Sequence, residues 1–356
     1  MIQVAILGYG VVGAGVAELL TRPAGPLLKP LSIDRPELAA VLDLRAFPDA
    51  PCADLFVKDF SVVEQNPEIR VVVETIGGVR AAYEFTRRAL EAGKHVVTSN
   101  KELVAAHGAE LMALAAKHRV NYLFEASVGG GIPVIRPISQ DLAANQISEV
   151  CGILNGTTNY ILTQMQERGL SMLEALEEAK ANGFAEADPT DDLEGKDACR
   201  KIAILASLAF GRHVYPNYVP TEGISYVTRE HMEAARREGG AVKLIGRARV
   251  LPDGRVNVLV APHVVDAAHP LYNVRGVYNA VMTRGDAVGD TLFYGRGAGR
   301  MPTASAVLSD VYQCAARPDE CAYTGWQPTS TDITAHWPEE PELFCFPDGS
   351  TMPRLS

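Results

Sequence analysis

Short apolar runs alternate with longer amphipathic stretches through the first 136 residues of the chain. Runs of strand type occupy Gln3–Leu7, Leu38–Leu42, Arg70–Glu74, His95–Thr98 and Tyr122–Glu125. Between them, Val11–Leu20, Arg80–Ala92 and Lys101–His118 repeat at helical spacing. The runs are rich in Val and Ile and apolar on both faces, as strands of a parallel sheet covered by helices must be. Gly93 falls where a helix C-cap belongs, just ahead of the next strand. The rhythm predicts an α/β fold built on a doubly wound parallel sheet. It breaks once, at Arg22–Pro36, whose four prolines read as a surface insertion.

After Pro133–Pro137 the pattern changes. Leu173–Ala181 and Glu194–Phe210 read as helices, and Val256–Ala261, Tyr278–Thr283 and Asp290–Tyr294 as strands. The expectation is a Rossmann-type domain over residues 1–136 and an α+β domain over 137–301. A helix at 302–316 then returns to complete the first domain, and an acidic extension follows over 317–356. A chain of 356 residues is long enough for two such domains. The net charge is −10, and the extension, with two cations against seven acids, holds half of it together with both tryptophans and six prolines. The acidic balance argues against nucleic acid or an anionic membrane as the main partner. The chain has no apolar run long enough for a bilayer span and no basic segment ahead of its first apolar run. Its six cysteines lack C-x-x-C spacing, so they read as reduced thiols of a cytoplasmic protein.

Several residues carry chemistry on this frame. Gly8-x-Gly10-x-x-Gly13 follows a predicted strand and opens a helix, the context in which glycines admit a pyrophosphate to free N–H groups at a helix N-terminus. Asp43, at the end of the second strand, suits the ribose hydroxyls of NAD; Arg45 suits the 2′-phosphate of NADP. Either can also be a solvated charge. In Gly183-Phe-Ala-Glu186-Ala-Asp188-Pro-Thr-Asp191-Asp192-Leu-Glu-Gly-Lys-Asp197-Ala-Cys-Arg-Lys201, Asp191 or Asp192 can cap the helix that ends near Gly211. Asp197 and Lys201 are four apart on a row that becomes core, so they form either an acid/base pair or a helix salt bridge. Lys101 follows a strand at its carboxyl end, where open α/β sheets bind ligands, or is simply a lysine at a helix start. Glu125 with the glycine-rich bend to Ile132 offers hard oxygens to a cation, or simply a hinge. Gly295–Gly299 precedes a helix that includes Thr303, as a second phosphate-facing turn or a flexible crossover.

Taken together these residues resemble homoserine dehydrogenase over about 1–316. The likeness rests on the N-terminal GxGxVG, SNKELVAAHG, FEASVGGGIPVIRP, LNGTTNYIL, GFAEADPTDDLEGKDACRK and GRGAGRMPTASAV, in that order. The resemblance implies NAD(P)-dependent interconversion of L-aspartate 4-semialdehyde and L-homoserine, a step toward threonine, methionine and isoleucine. It implies Lys201 as proton donor and acceptor, Lys101 beside substrate and nicotinamide, and Glu186 and Asp197 holding the substrate ammonium and fixing the lysine. Thr157, Asp192 and Thr303 would also face the substrate. Gly8, Gly10, Val11, Val12, Gly13, Thr75, Lys101, Gly183 and Gly299 would contact the cofactor, with Asp43 or Arg45 at its ribose. Glu125 and the carbonyls of Val128, Gly130 and Ile132 would hold a monovalent cation, sodium in most relatives, and the assembly would be a homodimer. Phe184 stands where some relatives carry a tyrosine, so a hydroxyl contact to substrate is missing or replaced. Longer relatives append an ACT domain, for which 40 proline-rich residues are too few. The competing classes are another NAD(P) oxidoreductase on the same first domain and a non-catalytic dinucleotide sensor. The latter would be expected to lack Lys101, Asp197 or Lys201.

Overall fold

The computed structural model describes residues 2–23, 35–321, 325–328, 333–334 and 343–356. Most of the proline-rich stretch expected as an insertion, residues 24–34, lies outside the described residues. The chain forms two compact units, Met1–Ile135 with Ala298–Pro328, and Arg136–Gly297 with Thr329–Ser356.

The first unit is a six-stranded parallel sheet. Its strands are β1 (Gln3–Leu7), β2 (Glu37–Leu42), β3 (Phe56–Val57), β4 (Ile69–Glu74), β5 (His95–Thr98) and β6 (Tyr122–Leu123), ordered β3-β2-β1-β4-β5-β6. Val4–Leu7 and Val71–Val73 are fully buried, because helices cover both faces of the sheet. Those helices are α1 (Val11–Thr21), α2 (Ser61–Gln65), α3 (Arg80–Glu91) and α4 (Lys101–Lys117). Gly93 takes a left-handed φ of 72° just past the end of α3, the conformation a helix exit before a strand needs. The helix Arg300–Ala316 packs Ala304, Val307 and Val311 against Val16, Ala17 and Leu20 of α1. Gly15 allows this approach, since a Cβ there would lie 3.0 Å from that of Ala304. The strand predicted to reach Glu125 stops at Leu123, and Glu125–Ser127 turn into a 3-10 helix.

In the second unit a short helical segment, Pro137–Asp141, leads to β7 (Ile147–Ile153), followed by α5 (Gly156–Arg168), α6 (Met172–Ala181), α7 (Thr190–Leu193), α8 (Lys196–Phe210) and α9 (Arg229–Arg237). The long strands β8 (Gly240–Val250) and β9 (Val256–Asp266) follow, then β10 (Tyr278–Gly285) and β11 (Gly289–Arg296). The short β12 (Ile333–Thr334), β13 (Leu343–Cys345) and β14 (Thr351–Leu355) come from the C-terminal residues. The sheet order is β11-β10-β7-β8-β9-β14-β13, with β12 also on β9. Strand β8 escapes sequence pattern because Lys243, Arg247 and Arg249 interrupt it. Lys243 is nevertheless buried, donating to the Val274 carbonyl and to Asn159 Oδ1, and Arg247 is paired with Glu149. The helix predicted over Glu194–Phe210 is broken at Gly195, which has a φ of 75° and stands 3.1 Å (from its Cβ position) from the Thr221 methyl. A left-handed residue cannot continue a right-handed helix, so Asp191 and Asp192 lie in the separate turn α7 instead of capping α8.

The acidic C-terminal residues are shared between the units. Trp326 is buried against the first unit, where it meets Phe124 edge-on and occupies the space left by Gly108 of α4. In the second unit β14 pairs with β9, and Leu355 joins the core cluster of Ile153, Ile245 and Val265.

Candidate active site

In the first unit the glycine turn joins β1 to α1. Gly8 has a φ of 92°, and a Cβ on it would come within 2.9 Å of the Thr75 carbonyl. A Cβ at Gly13 would lie 2.0 Å from the Gly8 carbonyl and 2.8 Å from Thr75 Oγ1. Both glycines are therefore required by the turn itself, and Thr75 locks it by donating to the Leu7 and Gly8 carbonyls. Gly10 is different, because a Cβ there meets open space. That opening, at a helix N-terminus without an acidic residue in its first turn, fits a pyrophosphate. Val11 is exposed at the mouth and Val12 packs partly into the core.

At the end of β2 the choice between Asp43 and Arg45 takes a definite form. Asp43 Oδ2 accepts from the Tyr9 N–H at 2.8 Å and Arg45 Nη2 at 2.9 Å, while Oδ1 accepts from the N–H of Arg45 at 2.9 Å and its Nε at 3.1 Å. These contacts, the guanidinium first among them, hold the Asp43 carboxyl far below the usual carboxylate range despite its burial. The Arg45 side chain remains 64% exposed and lies over the Phe47 ring. Beside it Lys58, not anticipated from the sequence, donates to the carbonyls of Asp43, Leu44 and Arg45. Nothing in its spacing could have shown this, since the contacts are to backbone across a strand end.

Lys101 opens α4. Its predecessor Asn100 caps the helix by accepting from the Leu103 N–H and donates to the carbonyls of Ile76 and Gly78. Glu74, at the end of β4, accepts from Thr98 Oγ1 at 2.6 Å and the Ile76 N–H at 2.7 Å, and burial raises its pKa to about 7. The ends of β4 and β5 are thus tied together below Lys101. Glu125 is buried; its Oε1 accepts from the N–H groups of Val134 and Ile135 at 2.6 and 2.8 Å, and its own N–H donates to Asp310. The chain turns tightly through Val128, Gly130 and Ile132, with Gly130 left-handed at a φ of 57°. Glu125 and the carbonyls of this turn are hard oxygens, the donor chemistry a cation such as sodium takes. Among the described residues there is no cluster of three or more His, Cys, Asp or Glu side chains that could hold a metal. Gly299, at a φ of 120°, leads into the helix whose first turn contains Thr303, and Arg300 pairs there with Glu18 of α1.

In the second unit Lys201 and Asp197 do come together. The ammonium donates to Asp197 Oδ2 at 2.7 Å and to the Leu154 carbonyl at 2.8 Å, and both side chains are about nine-tenths buried, 10% and 8% exposed. Asn155 Nδ2 bridges Asp192 Oδ1 at 2.6 Å and Asp197 Oδ2 at 2.9 Å. Burial, reinforced by the Asp197 charge, raises the Asp192 pKa. Thr157 Oγ1 donates to the Phe184 carbonyl, which joins the start of α5 to the turn at Gly183. Gly183 is left-handed there, with open space at its Cβ position. Phe184 packs edge-on against Tyr160 instead of offering a hydroxyl. Glu186 lies on the exposed segment that follows, and among the described residues no hydrogen bond links it to the Lys201 cluster. Asn155 is the member that sequence reading passed over. Its helix-capping position explains the residue type well enough to hide a second role.

This arrangement can do proton chemistry: a buried ammonium, oriented from two sides, stands among carboxylates whose net charge exceeds its own by one. Comparison with known proteins agrees on both units. The family model for homoserine dehydrogenase matches residues 133–312, and that for the homoserine dehydrogenase NAD binding domain matches residues 8–125. A homoserine dehydrogenase of Pseudomonas aeruginosa is 45% identical over 311 residues, covering 87% of this chain and 71% of that protein. The crystal structure of a homoserine dehydrogenase from Thiobacillus denitrificans superposes with a TM-score of 0.85 at 40% identity, covering 93% of this chain and 79% of that one. A hyperthermophilic archaeal homoserine dehydrogenase in complex with NADPH is similar at a TM-score of 0.71 and 25% identity, covering 88% and 97%. The chain therefore belongs to the homoserine dehydrogenases, NAD(P)-dependent oxidoreductases that act on a CH–OH group.

Proposed function

We propose that the chain reduces L-aspartate 4-semialdehyde to L-homoserine, reversibly, with Lys201 as the residue that exchanges a proton with the substrate oxygen. The observation that carries this is the buried contact of Lys201 with Asp197 and the Leu154 carbonyl. An ammonium has three N–H groups; two point at these acceptors, and one is left for the oxygen on which negative charge develops. Asp197 accepts from the lysine and orients it toward that oxygen. The cluster of Lys201, Asp192 and Asp197 carries one excess negative charge, which a substrate ammonium neutralises. Thr157 lines this pocket, and Glu186 supplies a further carboxylate on the exposed segment. When bound, the nicotinamide supplies the hydride for the aldehyde carbon. Lys101, at the carboxyl end of β5 in the nucleotide-binding unit, adds a second positive charge toward the reacting groups. Thr303 has its place in the same reading, at the first turn of its helix.

We further infer a preference for NADP. Every acceptor direction of Asp43 that would serve a ribose hydroxyl is engaged by Tyr9 and Arg45, whereas the Arg45 guanidinium is pinned in place and exposed. Arg45 suits a 2′-phosphate, with Lys58, whose N–H groups are spent on the carbonyls of Asp43, Leu44 and Arg45, adding positive charge beside it. The NADPH bound by the archaeal relative is in keeping with this. Glu125 and the carbonyls of Val128, Gly130 and Ile132 would hold sodium. The homodimer would form through the second sheet, whose edge strand β11 exposes Leu292 and Tyr294. The setting would be cytoplasmic biosynthesis of threonine, methionine and isoleucine. Steady-state rates with aspartate semialdehyde, run in parallel with NADPH and NADH, test the reading. Turnover with a lower KM for NADPH is expected, and the absence of turnover with either would overturn it.

A further inference from the structure

Asn155 ends the segment after β7 and caps α5. Capping uses only its oxygen: Oδ1 accepts from the Thr158 N–H at 2.9 Å and from Thr158 Oγ1 at 3.0 Å. Serine, threonine or aspartate would cap as well. The amide nitrogen does something no cap requires. It donates to Asp192 Oδ1 and Asp197 Oδ2 at 2.6 and 2.9 Å, so one neutral donor grips carboxylates from two different helices, α7 and α8. Without it, the buried Asp197 and the half-buried Asp192 would lose the one neutral donor they share. The Asp197 oxygen that accepts from Asn155 is the same one that accepts from Lys201 Nζ. The carbonyl of the preceding residue, Leu154, takes another Lys201 N–H. Residues 154 and 155 therefore hold the lysine both directly and through its carboxylate.

We propose that Asn155 is a positioning residue for the proton transfer, whose amide N–H₂ fixes Asp192 and Asp197 so that Lys201 points at the substrate oxygen. The proposal rests on the reading of Lys201 as the proton-transfer residue. Aspartate at this position would keep the cap but set a third carboxylate against two others. Serine would keep the cap with a single shorter donor that cannot span both oxygens.

The test compares Asn155→Asp, Asn155→Ser and Asn155→Ala with Lys201→Met in the full-length enzyme. The measurements are kcat and KM with aspartate semialdehyde, NADPH affinity by fluorescence titration, and the thermal midpoint. Asn155→Ser and Asn155→Asp are expected to keep NADPH affinity and more of the thermal midpoint than Asn155→Ala. Their kcat is nevertheless expected to fall about a hundredfold, as for a misplaced catalytic group. If the two capping variants recover kcat along with stability, Asn155 is only a cap and the inference is overturned. Loss of fold in both capping variants overturns it equally, since the residue's role would then be structural. Near-normal turnover in Lys201→Met would instead overturn the underlying reading of the lysine.

Discussion

At the scale of single residues, the chemistry hangs on a few buried polar groups whose partners are specific. Lys201 and Asp197 are both buried, so deleting the carboxylate strips the ammonium of its hydrogen-bonded ion partner. Asp197→Ala is expected to lose about 3–5 kcal/mol in urea unfolding, far more than an exposed pair would cost. A loss below 1 kcal/mol would mean that the pair is not buried in solution. Arg45→Ala is expected to raise the KM for NADPH about tenfold or more and to leave the KM for NADH nearly unchanged, since only NADPH offers a 2′-phosphate to a charge-assisted hydrogen bond. An equal effect on both would return the adenosine ribose to Asp43. The sequence showed that Gly8 and Gly13 shape the tight turn between β1 and α1, because the motif states its own geometry. It left Asp43 and Arg45 open, because their roles depend on which lone pairs are already engaged. That is visible only once Tyr9 and Arg45 are seen on the same carboxylate.

At the scale of elements, strands and helices were legible wherever one physical pattern dominated. β1, β4 and β5 read directly from continuous apolar runs. β8 did not, since its charged residues reach buried partners that lie far away in the chain, such as Glu149 and Val274. The start of α8 was misplaced because Gly195 obeys a tertiary constraint from Thr221 that local spacing does not reveal. The join between β4 and β5 makes a prediction of its own. The folded-state pKa of Glu74, about 7, lies above its ordinary value near 4.5. The stability this group contributes is thus fully present below pH 4.5 and is lost as pH rises through 7. Glu74→Gln carries no charge, so its thermal midpoint should gain on the parent between pH 5 and pH 8, by roughly a few degrees. A constant difference across that range would show that the carboxyl is not buried. Where the C-terminal residues cover α4, Trp326→Ala should cost about 3–5 kcal/mol in unfolding of the first unit, because it empties the space between Gly108 and Phe124.

At the scale of the whole molecule, the acidic C-terminal residues are not a loose appendage in composition alone. They contribute Trp326 to one unit and β13, β14 and Leu355 to the other, with Arg354 pairing Asp266. Ending the chain after Pro328 would uncover the β9 edge and the core cluster around Val265. Lower thermal stability and concentration-dependent association on size exclusion are expected, whereas an unchanged melt would mean that these strands add nothing to the fold. The central claim concerns catalysis, and one measurement bears on it most directly: kcat for aspartate semialdehyde reduction in Lys201→Met beside the parent enzyme, with NADPH binding measured on the same samples. The account predicts intact NADPH binding and a kcat lower by about two to four powers of ten. A folded Lys201→Met that binds NADPH and turns over at the parental rate would contradict it.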